Sequence, residues 1–404
     1  MRKKFLLVLF ATAIFSRLSA DSYFSGETGI STNFVNKRVY GFKPAINING
    51  FFSGQLEITN SLSVRTSFST DIADLSEHGI TKEADSKFQI NELSATYTKP
   101  FAYANHSLTI FRGHFEPIGS QQFIQRHLGV KNYASPLTEQ YLGNNDSAAY
   151  DLYGIGGCYS VTPKFLPLSA GLAISRNNET DDEPEVNADL RLALSLRYLT
   201  ADFLIGLGAP IYTKNDAGQK IFLLIDTAYL HSGLDMLIGS RYSFASLYTL
   251  AGFEYYTIRS AKQPKIKLEG ENTFLLIEPR FKVGKVGLYI SGFNIPESKL
   301  DKFFFIDNTL GANARLFYSS TTEKNQNFSV GVNGTVGLRG KYIDDMSLSD
   351  EEKLEDILDV KISPFTEFEA LNGTLKIMIQ VNAMRIQNEE PGAVKFNIGY
   401  KKEL

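Results

Sequence analysis

The sequence predicts an all-β fold: a transmembrane, antiparallel, up-and-down β-barrel of about 18 strands, within a range of roughly 16–20. The first observation behind this is the stretch from Val186 to Tyr198. Val186, Ala188, Leu190, Leu192, Leu194, Leu196 and Tyr198 share one parity, whereas Asn187, Asp189, Arg191, Ala193, Ser195 and Arg197 lie on the other, all but Ala193 polar or charged. A period of two belongs to a strand, whose successive side chains point to opposite faces. The apolar file is long enough for a tilted strand to cross a bilayer, which takes roughly 9–11 residues. Alternation alone also describes a half-buried strand of a soluble sandwich. The second observation is a rhythm in which tight turns and long polar connections succeed each other along the chain. The third is that no long apolar run follows the amino terminus, which excludes a bundle of spanning helices.

Composition agrees. Hydrophobic residues make up 43% of the 404 and the formal net charge is −3. That excludes a disordered acidic chain and a nucleic-acid binder with a strong basic field. A spanning barrel is apolar on alternate residues only, so a slightly polar average does not argue against it. Tyr and Phe number 20 and 30 and Trp is absent, so interfacial aromatic girdles would be built from Tyr and Phe. The single Cys158 has no partner for a disulfide or a metal site.

Arg2, Lys3 and Lys4 precede an apolar segment, Phe5 to Phe15, and a small-residue stretch, Ser16 to Ala20. This pattern predicts a secretory signal peptide over residues 1–20 and a barrel over 21–404.

The first strand is expected from Tyr23 to Val35. Even-numbered apolar positions then run from Phe42 to Ile58 and, past a turn at Thr59-Asn60-Ser61, from Leu62 to Phe68. Further strands are expected at Phe88–Lys99, His106–Phe115, Ala148–Val161 and Leu168–Arg176. After Tyr198 come Asp202–Tyr212, Lys220–Leu230, Leu234–Ser243 and Leu247–Ile258. The last group is Thr273–Val283, Val286–Ile295, Asn308–Ser319, Asn327–Arg339, Val360–Ala370, Leu375–Ile386 and Gly392–Tyr400. Tight turns are read at Thr200-Ala201, His231-Ser232-Gly233, Gly284-Lys285 and Asn372-Gly373, the last a strong two-residue hairpin signal. The tally is about 19, and single-chain bacterial barrels have even numbers. It becomes 18 if Leu234–Ile258 is one bent strand. Pro279 and Pro364 fall inside expected strands, where the missing N–H removes a ladder bond. One helical turn is expected from Ser349 to Leu358, with Glu352 as capping-box partner.

The polar parity, if it faces a lumen, presents Arg65, Arg112, Asp189, Arg191, Arg197, Arg241, Arg280, Arg315 and Arg339, and with them Glu57, Glu92, Asp226, Glu278, Lys361 and Glu367. Rings of charge set ion preference in a pore, and they also pair across strands and brace the wall. The longest connection, Pro117 to Ser147, follows a strand carrying Arg112, His114 and Glu116. Its start predicts a short helix from Ser120, as cap, to Leu128, ended by Gly129. Phe123 and Ile124 would rest on the barrel wall, and Gln121, Gln125 and Arg126 would face the pore.

The closing strand alternates Val394, Phe396, Ile398 and Tyr400, with four residues beyond the aromatic. With the signal peptide, the turn asymmetry and the Pro117-Ile118-Gly119 entry to the long loop, the chain resembles a bacterial outer-membrane β-barrel of the porin type. The resemblance is architectural and covers the whole expected barrel. It implies an outer-membrane location in a diderm bacterium and passive diffusion of small hydrophilic solutes. The implied partners are outer-membrane lipid, the solute, and the outer-membrane assembly machinery, with no nucleic acid; a homotrimer is an analogy from porins. Neither cofactor nor metal is implied. H-E-x-x-H and G-x-S-x-G are absent, so an enzyme is not expected. A barrel hydrolase using His114, with His127 nearby, is one alternative. A surface adhesin or antigen, working through its acidic loop tip at 177–183 and its basic one at 259–267, is another.

Overall fold

The structure is a computed structural model. It describes residues 23–37, 44–73, 86–138, 149–151, 153–177, 185–210, 227–239, 243–260, 265–300, 306–321, 326–346 and 354–404. Single or short stretches at 75, 212–214, 220–222 and 303 are also described. The expected signal peptide, Asp226, Arg241, and the start of the expected helix at Ser349 lie outside the described residues.

Eighteen antiparallel strands form one closed sheet. The first half holds β1 (Tyr23–Asn36), β2 (Pro44–Thr59), β3 (Leu62–Ile72), β4 (Ser86–Pro100) and β5 (Ala104–His114). It continues with β6 (Tyr153–Pro163), β7 (Leu168–Asn177), β8 (Glu185–Ser195) and β9 (Leu199–Pro210). A separate two-stranded hairpin, β10 (Tyr212–Lys214) with β11 (Lys220–Phe222), interrupts the sequence. The second half holds β12 (Thr227–Ile238), β13 (Ala245–Ser260), β14 (Thr273–Val283), β15 (Val286–Asn294) and β16 (Leu310–Thr321). Then come β17 (Asn327–Leu338), β18 (Leu358–Ala370), β19 (Gly373–Asn382) and β20 (Val394–Glu403). Each strand pairs with the next, and β20 returns to β1, with Ile398 opposite Thr32 and Phe396 opposite Phe34. Closure removes every sheet edge, the condition for a sheet to exist in hydrocarbon. No described helix is long and apolar enough to cross a membrane.

The parity behind the prediction is real. Val186, Leu190 and Leu192 are exposed on the outer face, whereas Asp189 and Arg191 are buried inside. Leu108 and Ile110 on β5, and Leu172 and Ile174 on β7, continue the outer apolar band. Aromatics ring the short-turn end: Tyr23, Phe101, Tyr103, Phe165, Tyr198 and Phe244 are all exposed there. They are the Tyr and Phe girdle that the absence of Trp requires.

Two details correct the sequence reading. The strand expected to stop at Tyr198 stops at Ser195, so Leu196, Arg197 and Tyr198 form the turn to β9. No turn exists at His231-Ser232-Gly233. β12 runs through it with a register shift against β13 between Leu230 and Ser232, which is how 18 strands arise. Gly233 lies in a strand because a Cβ there would sit 2.9 Å from Ile118 of an inward-folded loop. Glycine inside a strand often marks such a close approach.

Pro279 and Pro364 do lie within strands. Between β14 and β15 the register passes from Ile277 opposite Gly292 to Arg280 opposite Tyr289, skipping Pro279. Between β18 and β19 it passes from Ile362 to Phe365, skipping Pro364. The ladder opens on the side where the N–H is missing and holds on the other.

Candidate functional site

An unobstructed barrel of this strand number leaves an aqueous channel. Here the connection after β5 folds inside. Its entry depends on a glycine pair. Gly113 and Gly154 face each other across β5 and β6, with φ of 104° and 142°. Arg112, just before, points outward with Leu108 and Ile110. The two left-handed residues break this alternation, and His114 and Tyr153 beyond them turn into the mouth of the lumen. A Cβ on Gly113 would lie 2.2 Å from the Asn91 carbonyl oxygen. Gly113→Ala is therefore expected to cost about 1–3 kcal/mol through backbone strain. Gly334→Ala, which meets nothing within 4 Å, is expected to stay close to the parent. Urea titration followed by the gel shift of the folded barrel checks the difference.

Past the glycine, the Phe115 ring stacks on Phe111 with centroids 4.2 Å apart. Glu116 takes φ 49°. Ile118 then donates its N–H to the Tyr150 carbonyl at 3.1 Å. A helix follows, α1 (Gln122–Leu128). Ser120 is not its cap: the cap is Gln121 in the left-handed region, and the Ser120 hydroxyl donates to the Pro117 carbonyl at 2.6 Å. Gly129 ends the helix at φ 64°, as the sequence predicts, donating to the Gln125 carbonyl at 3.0 Å. Phe123 and Ile124 are buried against the wall formed by β7 and β8. The chain then crosses to β13 and β14, where Tyr133 meets Tyr248 edge-on and Ser135 donates to Glu278 at 2.7 Å.

The wall under this loop is apolar on its inner side as well. Leu204, Leu237, Leu250, Phe274 and Leu276 join Ile118, Phe123, Ile124 and Leu137 in one buried cluster. The loop is thus a packed plug. Away from it, from β16 round to β2, the inner wall carries small polar groups, among them Asn313, Asn333, Thr335, Ser363, Asn397 and Asn33, together with paired charges such as Lys361 with Asp359.

Charges pin the plug. Arg191 reaches Asp202 on the next strand with two hydrogen bonds, 2.8 and 2.6 Å. It also donates to the Glu116 carbonyl and lies over the Phe123 ring at 4.6 Å. Arg280 donates to Glu278 at 2.8 Å and to the Tyr133 carbonyl at 2.7 Å, over the Tyr248 ring. Bidentate geometry and ring stacking are what a guanidinium offers and an ammonium does not.

At the free edge of the plug, Arg126 pairs with Glu116 at 2.6 Å and approaches Glu92 at 3.8 Å. Arg65, on β3, pairs with Glu92 at 3.2 Å. The two guanidinium side chains are 15% and 19% exposed, against 1% and 3% for the two carboxylates. The acids lie behind and the cations are the more exposed members.

The predicted lumen residues therefore separate into groups. Arg65 and Arg126 stand at the edge of the plug, with Gln125 exposed on α1 beside them. Arg315 faces inward over the Phe365 ring at 3.8 Å. Arg191 and Arg280 face inward but are buried braces rather than open wall. Glu116 and Gln121 are also buried, and the Gln121 side-chain Oε1 accepts from the Tyr133 N–H at 2.7 Å. Arg112 is on the outer face. Near the long-loop end an outward cation costs only about 0–1 kcal/mol, since headgroups and water are within reach. Arg197 is exposed in the β8–β9 turn, 5.0 Å from the Tyr198 ring. Arg339 lies beyond β17 at the long-loop end, paired with Glu390 at 3.0 Å.

His114 and His127 do not meet. His114 pairs with Asp151 at 2.5 Å. His127 lies by Ser160 and Thr162, and burial, with Arg126 and Arg191 beside it, pushes its ring below the usual imidazole range. Glu278, expected on the lumen face, is there, whereas Asp202, His231 and Asp151 are site residues the sequence reading missed. Asp202 and His231 share the inward parity of Leu204 and Leu237, which could have placed them.

No protein-family model matches the chain, and no curated protein matches it in sequence. Solved structures do resemble it. OccK5 of Pseudomonas aeruginosa is 10% identical with a TM-score of 0.47, over 96% of this chain and 99% of that one. Wzi of Escherichia coli, described as an outer-membrane, carbohydrate-binding β-barrel involved in capsule assembly, is 12% identical with a TM-score of 0.46, over 96% and 86%. A mutant of the Rh. blastica porin is 8% identical with a TM-score of 0.39, over 95% and 100%. The chain is similar to these proteins in architecture only, as a closed antiparallel barrel of the kind found in bacterial outer membranes.

Proposed function

We propose that the chain is an outer-membrane channel for passive diffusion of small hydrophilic solutes, narrowed by the inward loop and weakly selective for anions. The observation that carries this reading is the Arg65–Glu92–Arg126–Glu116 edge, in which the guanidinium groups are the more exposed members. A solute passing that edge meets its guanidinium groups first, whereas the charges of the far wall, such as Lys361 with Asp359 and Lys401 with Glu27, are paired with one another. Cationic groups at a narrowing favour anions. Neither step nor site requires a reaction or a cofactor. The signal peptide at 1–20 and delivery by the outer-membrane assembly machinery belong to this reading, as does the lipid-facing outer band; a homotrimer remains the porin analogy.

The test is conductance of the refolded barrel in a planar bilayer, with reversal potential in a salt gradient. Stable steps with anion preference are expected. Arg65→Ala with Arg126→Ala is expected to shift the reversal potential towards cations by roughly 10 mV or more, since the edge then carries only carboxylates. A folded barrel that passes no current overturns the channel reading. A current indifferent to both substitutions moves the narrowing elsewhere.

A further inference from the structure

Above the plug, at the long-loop end, lies a recess of about 110 Å³ that the channel reading does not use. It is assembled from distant segments. The Gly113–Gly154 break turns His114 and Tyr153 towards it. The returning loop supplies Tyr150 and Asp151, and the strand wall supplies Glu185, Tyr229, His231 and Glu254. These groups are held in place. Tyr150 stacks flat on His231 at 4.1 Å and 9°. His231 pairs with the buried Asp189 behind it, and a second carboxylate oxygen of Asp189 has no hydrogen-bond partner. Tyr229 and Tyr255 meet edge-on at 5.5 Å. Lys299, from the helix α2 (Glu297–Leu300), pairs with Glu254.

The charge balance of the described residues has one sign. Three carboxylates (Asp151, Glu185 and Glu254) line the recess with one ammonium and two imidazoles, and a fourth, Asp189, stands behind His231. With Asp189 counted, the balance is negative even with both rings protonated. A cleft of this sign repels phosphate and carboxylate ligands and concentrates cations. Tyrosine ring faces beside carboxylates suit an ammonium with an apolar stem, which gains both ion pairing and cation–π attraction. The set does not fit a metal ion: no group of three or more His, Cys, Asp or Glu side chains among the described residues converges as a metal site.

We infer that this recess binds a small organic ammonium ligand, held by Glu185 and Glu254 between the tyrosine rings. The inference is independent of whether the barrel conducts. The experiment is isothermal titration of the full mature barrel, refolded in detergent, with n-butylammonium chloride. Glucose and inorganic phosphate are the other two arms. Saturable binding of the ammonium and none of phosphate is expected. Glu185→Gln is expected to weaken the ammonium about tenfold. Lys299→Met removes the competing cation and is expected to tighten it several-fold, a gain that misfolding cannot imitate. Folding of each variant is checked by its gel shift. No saturable heat with n-butylammonium overturns the inference, as does an affinity that neither substitution changes. Saturation by glucose alone overturns it in favour of a neutral polyol site.

Discussion

Arg191→Met is expected to lower the stability of the barrel by about 3–5 kcal/mol, because it strands a buried carboxylate. Arg191 is 6% exposed and Asp202 is fully buried, so water cannot replace the lost partner. Asp235, also fully buried, stands on the same inner wall, opposite Asp202 in the β9–β12 register. Loss of Arg191 leaves these two carboxylates facing each other with less compensating charge. The same guanidinium holds the Glu116 carbonyl and covers Phe123. The substitution therefore also loosens the entry of the plug. Arg191→Met with Asp202→Asn is expected to recover most of the loss, since breaking one side of a buried pair costs more than removing both charges. Urea unfolding of the folded gel band measures both. If the single variant is as stable as the parent, Arg191 is not a pin, and the plug is held by apolar packing alone.

The barrel was legible because lipid enforces a strict alternation on every strand. Val186 to Leu192 shows it, with no dependence on tertiary detail. Charge alone gives the wrong face on β5. Arg112 is charged, so it reads as lumenal, yet Leu108 and Ile110 share its parity and settle its face. His114 shares that parity too and still turns inward, because Gly113 adopts a positive φ. A sequence names the glycine but not its dihedral. The plug was half legible. Its Gly129 stop follows from capping chemistry, whereas its start at Gln121 rather than Ser120 does not, and its apolar bed contradicts a water-filled lumen. The available sign was two-sided apolarity: Phe203-Leu204-Ile205 on β9 and Phe274 to Ile277 on β14 are apolar on both parities. A strand with lipid on one side and water on the other has no use for that pattern, so a third layer must cover it. The false turn at Gly233 has the same origin, since the glycine makes room for Ile118 of that layer.

Excising the plug distinguishes a narrowed channel from a barrel closed for another purpose. Replacing residues 119–138 by a short Gly-Ser link removes α1, Tyr133 and Leu137 and leaves all eighteen strands. Single-channel conductance is then expected to rise at least about threefold, towards that of an open barrel of this strand number. The stability cost should be real, because Leu204, Leu250 and Leu276 lose their cover. It should not prevent closure, since β1 to β20 pair without help from the loop. Selectivity should fall at the same time. Arg126 leaves with the loop, and Arg65 remains with Glu92 and Glu116 on a wide wall, so the exposed cations no longer dominate the edge. Larger conductance with weaker anion preference is thus one linked outcome of one geometry. Conductance that rises with selectivity intact would place the filter in the long loops above. A barrel that conducts only after excision would make the native chain a closed barrel, and the recess at its mouth would become the chief candidate for its work.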